Sequence, residues 1–177
     1  MANLIGRDQI ARLHFTRALH QASLSNDNSA EIRTLHHLGL LALAEENFQR
    51  SAELFEAADL QAQVKDAPRL RHVIAAGLSR HLSGDDTNAS SLIQSANDII
   101  EGNENLAIEP LLILGRSLMG IDRPWLAMEI FDEALECAIE AELPNEISRI
   151  QGLLLLVSTA AAGQDNEENI AIRGLLD

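Results

Sequence analysis

The 177-residue chain contains no tyrosine, a single cysteine and only four prolines, and aromatic residues make up 3% of it. It also lacks a long apolar run. A membrane-crossing helix needs about 18 to 20 consecutive apolar residues, and the richest stretch, 153–157, is far shorter. One cysteine, Cys137, permits neither an intramolecular disulfide nor a thiolate metal cluster. The opening residues Met-Ala-Asn-Leu-Ile-Gly-Arg-Asp show neither the basic start nor the apolar centre of a secretory signal. These absences point to a cytoplasmic protein with no membrane insertion. Absent too are strand alternation, a glycine-rich phosphate loop, a GxSxG elbow, HExxH and CxxC.

What is present is unevenly charged. The net charge is −14. Residues 1–84 hold nine acids, nine bases and all six histidines, whereas residues 85–177 hold eighteen acids and four bases. An acidic field of this kind steers partners and repels DNA and anionic membranes, so no direct nucleic-acid binding is expected. With 46% apolar residues the chain is long enough to bury about 70% of its unfolded surface as one domain.

The strongest pattern is a repeat. Gly39, Gly77 and Gly115 stand 38 residues apart. Each is followed at +12 by a small residue (Ser51, Ala89, Ala127), at +16 by a large one (Phe55, Ile93, Phe131) and at +19 by alanine (Ala58, Ala96, Ala134). A fixed period means one supersecondary unit stacked on copies of itself. Before each glycine, Leu35 and Leu38, Val73 and Ala76, and Leu111 and Leu114 fall on the glycine's face of a helix at 100° per residue. Arg80 interrupts that stripe three residues after Gly77, with its stem expected to pack and its head to reach solvent. Small residues at a helix crossing let two axes approach, and the Phe or Ile fills the hole beside them. The expected pairs are therefore Gly39 with Ser51, Gly77 with Ala89, and Gly115 with Ala127.

Punctuation supports helices near 3–23, 30–45, 47–63, 67–83, 86–101, 107–119, 122–142, 145–162 and 165–176. Ser29, Asn47, Asp66, Asp85 or Asp86, and Asp122 are candidate caps, while Pro68 and Pro124 suit first turns. Gly84, Gly102, Gly120 and Gly163 are expected at helix ends. Pro110 belongs in a first turn or at a kink. Ala11, Phe15 and Ala18 repeat the second-helix spacing, so residues 1–28 read as an extra N-terminal helix. Repeats follow at 29–66, 67–104 and 105–142, and 143–177 reads as degenerate capping helices.

This two-helix pattern resembles the tetratricopeptide repeat, in a longer-period variant. That family places two large apolar residues and a small one in helix A, matched by Leu35, Leu38 and Gly39 and by their counterparts. It places small, aromatic and alanine residues in helix B, matched by Ser51, Phe55 and Ala58 and by theirs. The match covers 31–140, but the family's usual period is 34, and its helix A Trp and Tyr are absent. The resemblance implies an all-α, right-handed solenoid of about nine helices, with helix A segments lining a concave groove.

Helix A residues turned away from the core stripe would line that groove. They include Arg33, His36 and Leu40, then Arg71, Ile74, Leu78 and His81, then Leu112, Arg116 and Met119. Leucines with three arginines and two histidines suit an anionic amphipathic segment of a protein or peptide. The alternative is that the protein's own helices cover this face. The family's peptide-carboxylate clamp is not expected, since its Asn and Lys residues are missing. No catalytic, cofactor or metal set is expected: His36–His37, His14–His20 and His72–His81 all lack the four-residue spacing of a helical chelate, and Cys137 reads as buried packing. The expected role is non-enzymatic, an adaptor or regulatory scaffold. Alternatives are a small acidic chaperone for exported proteins, similar to those of type III secretion, and an enzyme with a site between helices. Ile147, Ile150, Leu153, Leu154 and Val157 form a broad stripe, to be covered by helix 165–176 or by a second subunit in a homodimer.

Overall fold

Eight helices hold most of the described residues, and among those residues no strand forms. The computed structural model describes the backbone of residues 2–64, 68–100 and 105–173, and side chains within 10–64, 68–100 and 105–162. The chain divides into two compact units, residues 1–101 and 102–177. The first holds α1 (Ala2–Leu24), α2 (Asn28–Ala44), α3 (Phe48–Val64), α4 (Leu70–Leu82) and α5 (Asp86–Ile100). The second holds α6 (Asn105–Gly120), α7 (Pro124–Glu140) and α8 (Pro144–Arg173). Within each unit every helix packs on the next in sequence, the contact order of an all-α solenoid-like repeat. The three 38-residue units are α2–α3, α4–α5 and α6–α7.

The repeat signature locks two of the three units tightly. Phe55 and Phe131 are fully buried, and each ring lies directly against the helix A glycine of its own unit. A Cβ built on Gly39 would stand 2.7–2.9 Å from Phe55 ring carbons, so only glycine admits the ring at its observed distance. Gly115 and Phe131 repeat this arrangement. The middle unit differs from expectation. A Cβ on Gly77 would meet Leu92 and Ile93 at 3.6–3.7 Å and the Ala89 carbonyl at 3.9 Å, all ordinary contacts. Ile93 is 55% exposed. Its aliphatic chain is shorter than a phenyl ring and does not fill the place that Phe55 and Phe131 fill.

Buried hydroxyls join the first two 38-residue repeats, both within residues 1–101. Ser51 Oγ donates to the Gly39 carbonyl at 2.9 Å and lies 3.0 Å from Ser79 Oγ, which donates to the Ala75 carbonyl at 2.9 Å. Two protons serve three contacts, so one contact is always without its proton, and the network ties α2, α3 and α4 together. Ion pairs add two clips between α3 and α4. Arg69 donates to both oxygens of Asp59 at 2.7 and 2.8 Å. Arg80 donates to both of Glu56 at 2.7 and 2.9 Å, and reaches Asp85 at 3.4 Å. The Arg80 head is therefore held in a half-buried network instead of reaching solvent.

The turns share one geometry. After α1, α2, α4, α6 and α7 the second residue past the helix has positive φ: Asn26, Glu46, Gly84, Asp122 and Glu142. In each turn its N–H and the next one return to carbonyls of the last helical turn, as with Glu46 N to Leu43 O at 3.1 Å and Asn47 N to Ala42 O at 2.9 Å. Only Gly84 is a glycine, so the other four turns were invisible to a search for glycine. Gly120 is instead the last residue of α6, and Gly163 lies inside the continuous α8. α8 runs unbroken through Gly163 to Arg173, so residues 165–173 continue it and form no separate helix folded back over the stripe on 145–162; residues 174–176 lie outside the described residues, and the described helices number eight rather than nine. Leu155 and Leu156 remain exposed while Ile150, Val157 and Ala161 are buried.

Capping is corrected in detail. Asp27, not Ser29, caps α2 by accepting from Ala30 N at 3.0 Å. Asn47 and Asp85 cap α3 and α5 as expected, accepting from Arg50 N and Asn88 N. Asp122 takes the positive-φ turn position, and Arg123 precedes Pro124 at the start of α7. Asp66 and Gly102 lie outside the described residues. Pro110 sits in the second turn of α6, where it removes the N–H that would bond to Leu106. Cys137 is half-buried rather than buried.

Candidate functional site

The helix A face expected to line a groove divides into core and surface. On α2, Arg33 is exposed, whereas His36 and Leu40 are buried. On α4, Arg71, Ile74 and Leu78 are half-buried. His81, at the far end of α4, is exposed, with its Nδ1 2.9 Å from Asp86 Oδ1. On α6 of the second unit, Leu112 is fully buried, Met119 half-buried and Arg116 exposed. Leu40 and Leu112 therefore serve the core. What unit 1 does bring together is Arg33, His36 and Arg71.

Around them stand two residues that the sequence reading passed over as ligands, His37 and His72. His72 is fully buried, and its Nδ1 lies 3.2 Å from His36 Nδ1. Arg71 Nε donates to His72 Nε2 at 3.3 Å. A guanidinium only donates, so Nε2 of neutral His72 must be the unprotonated nitrogen. Its proton is then on Nδ1, which donates to His36 Nδ1, and His36 carries its own proton on Nε2. The His36 ring packs against Phe55 with centroids 5.1 Å apart, and His37 stacks on Phe15 at 5.4 Å. Burial, then the charge of a protonated His72, pushes His36 down to about 3; burial, then Arg71, pushes His72 down to about 4. The pair is a neutral polar link between the first helices of two repeats. Its sequence signal was present but faint: the two histidines are 36 residues apart, close to the period.

At the edge of this link is a cationic patch. His37 is held below its ordinary value by burial, then by Arg71 and Arg33; Arg71 is lowered by burial, then by Arg33. The two guanidinium groups thus act on each other and on the same imidazole. Arg12, Arg50, Arg69, Arg80 and Arg149 all pair with carboxylates. Among the described residues no carboxylate bonds to Arg33 or Arg71. For exposed Arg33 that costs little. A half-buried guanidinium whose charge goes uncompensated costs more.

Other chemistry is sparse. Among the described residues no three His, Cys, Asp or Glu side chains are grouped to hold a metal ion. Burial, then Glu140, Glu133 and Glu136, pushes the Cys137 thiol up, which disfavours the nucleophilic thiolate. No helix among the described residues is long and apolar enough to cross a membrane. Compared with models of known protein families and with the sequences of characterised proteins, the chain finds no match in either.

Proposed function

We propose that the chain is a non-enzymatic protein-interaction module that binds an anionic amphipathic segment of a partner protein. The contact surface is the outer side of α2 and α4, with Arg33 and Arg71 supplying charge and Ile74 and Leu78 supplying apolar area. One observation carries the reading: Arg71 is half-buried with no carboxylate partner among the described residues, in a chain with 27 acids and 13 bases. Ile74 and Leu78 lie three and seven residues beyond Arg71, on the same helix face. An apolar strip beside cations that no carboxylate among the described residues pairs with suits a ligand with apolar and acidic faces, the apolar contacts giving area and the charges fixing orientation.

The test uses a partner isolated on the immobilised chain and then measured by titration. Arg33→Glu with Arg71→Glu is compared with charge reversal on α7 at Glu129, Asp132, Glu133 and Glu136. All four of these acids are exposed. The arginine reversals should weaken the complex by about tenfold or more, the size of a lost charge-paired contact, while the α7 reversals leave it within about twofold. A complex that survives the arginine reversals and is lost with the α7 set overturns the reading in favour of capture through the acidic surface.

A further inference from the structure

The first and last described helices each leave one side open, and the two open sides differ in charge. α1 packs on α2, and α8 packs chiefly on α7. The side of α1 toward α2 carries Phe15, stacked on His37, half-buried Leu19, packed on the core of α2 and α3, and buried Ala22. Ile10, Leu13, Arg17 and Leu24 follow one another at steps of three, four and seven residues, which gathers them on the far side of the helix. All four are exposed. The side of α8 toward α7 carries buried Ile150, Val157 and Ala161. Gly152, Leu155, Leu156 and Thr159 fall on the far side at 100° per residue, and they too are exposed. Single exposed leucines are normal on a protein surface, whereas a row of apolar residues along one helix face marks a contact surface. Residues 150–164 also contain no charged side chain, in a chain of which 23% is charged.

We infer that the chain associates head to tail with a second copy of itself, the outer side of α1 on one copy packing against the outer side of α8 on the next. Charge complementarity selects this occupant. α1 carries Arg7, Arg12 and Arg17 against Asp8 alone, a net charge of +2. With α2 and its turns included, residues 1–46 hold four bases and five acids. Residues 124–177, which contain α7 and α8, hold two bases and eleven acids. Two α8 faces brought together would set one strongly acidic surface on another, and two α1 faces would set Arg17 beside Arg17. Like charges placed so across an interface oppose association. Pairing α1 with α8 sets a cationic helix on an acidic surface, and the neutral run 150–164 supplies the apolar centre that such a contact needs. There Ile10, Leu13 and Leu24 meet Leu155 and Leu156. Gly152, around which a Cβ would find no atom within 4 Å, lets the two helix axes approach. The contact joins two different surfaces, so each pairing leaves one face of each kind open, as in any heterologous association. One helix laid on another is small beside a standard interface of about 800 Å² per partner, so the expected dissociation constant is on the order of 100 μM. Neither Arg33 nor Arg71 takes part, and the docking surface on α2 and α4 stands or falls separately.

Sedimentation velocity of the full chain, from about 5 to about 500 μM, brackets the affinity expected of so small a contact. The mean mass should rise above the 19.3 kDa of one chain as concentration increases. Ile10→Gln with Leu13→Gln removes apolar contacts from α1, and Leu155→Gln with Leu156→Gln removes them from α8. All four positions are exposed, so both double variants should keep the wild-type helix content and urea midpoint. Each alone should associate at least about tenfold more weakly than the wild type, the effect of two lost apolar contacts. Mixed in equal amounts, they should associate again with wild-type affinity and stop at a pair, because the one supplies an intact α8 face and the other an intact α1 face. Arg17→Glu, at an exposed position, should weaken wild-type association by about fivefold, the effect of reversing a charge at the rim of a contact. A wild-type chain that stays monomeric at the highest concentration overturns the inference. So does either double variant that associates as the wild type does, since two α8 faces or two α1 faces would then be pairing. A mixture no more associated than its components, when both keep the wild-type urea midpoint, overturns it as well, as does unaltered association of Arg17→Glu.

Discussion

The same methyl group, added at three equivalent glycines, should change stability with opposite signs. In helix interiors glycine-to-alanine substitution gains about 1 kcal/mol, because alanine loses less backbone freedom on folding. That gain is available to all three sites, so the surroundings of the new Cβ decide the outcome. At Gly77 the Cβ would find its neighbours at 3.6–3.9 Å, so Gly77→Ala should stabilise by up to about 1 kcal/mol. At Gly39 it would stand 2.7–2.9 Å from the ring of Phe55, and at Gly115 it would press closer still on Phe131. Neither ring has room to withdraw, since both are fully buried. Overpacking of this kind costs about 1–3 kcal/mol, which leaves Gly39→Ala close to neutral or mildly destabilising and Gly115→Ala lower by about 1–2 kcal/mol. Urea unfolding followed by circular dichroism at 222 nm resolves this, because 1 kcal/mol moves the midpoint by about 0.5 M when the slope is near 2 kcal/mol per molar. A Gly77→Ala midpoint lowered as far as that of Gly115→Ala would show that the middle repeat is packed as tightly as its neighbours, and the reasoning would be refuted.

Two further predictions follow from the same structure. His36 and His72 titrate near 3 and 4 in the folded chain against 6.5 for an unperturbed imidazole, so between those limits the unfolded state takes up protons that the folded state refuses. Stability should be full above pH 6.5 and fall as pH drops toward 4, each histidine adding a slope of about 1.4 kcal/mol per pH unit; a urea midpoint unchanged between pH 7 and pH 5 would contradict the buried neutral pair. Glu142 holds φ at 54°, a region that costs a residue with a Cβ about 1–2 kcal/mol. Glu142→Gly should therefore raise the urea midpoint by the equivalent of about 0.5–1 kcal/mol after glycine's own entropy cost, and a lowered midpoint would mean that the Glu142 side chain stabilises the turn.

The sequence alone determined the helical repeat, because its information is local and periodic. Apolar residues at helical spacing name the buried face of each helix, and a glycine followed sixteen residues later by phenylalanine names the crossing of two adjacent helices. The α2–α3 and α6–α7 pairs formed at Gly39–Phe55 and Gly115–Phe131 for that reason. The same pattern overcalled Gly77, because spacing cannot register that an isoleucine fills less of the hole than a phenyl ring. It also placed a helix end at Gly163, where glycine's tolerance of a turn does not create one. Of the candidate site, Arg33 and Arg71 were legible as outward-facing, but Leu40 and Leu112 on the same expected face were taken by the core. Only the tertiary structure decided that His36 meets His72, that Arg80 and Arg69 find carboxylates on α3, and that Arg71 finds none among the described residues. Those outcomes depend on where side chains tens of residues apart meet when one helix packs on the next. A few degrees of helix rotation change them without altering the pattern that made the helices.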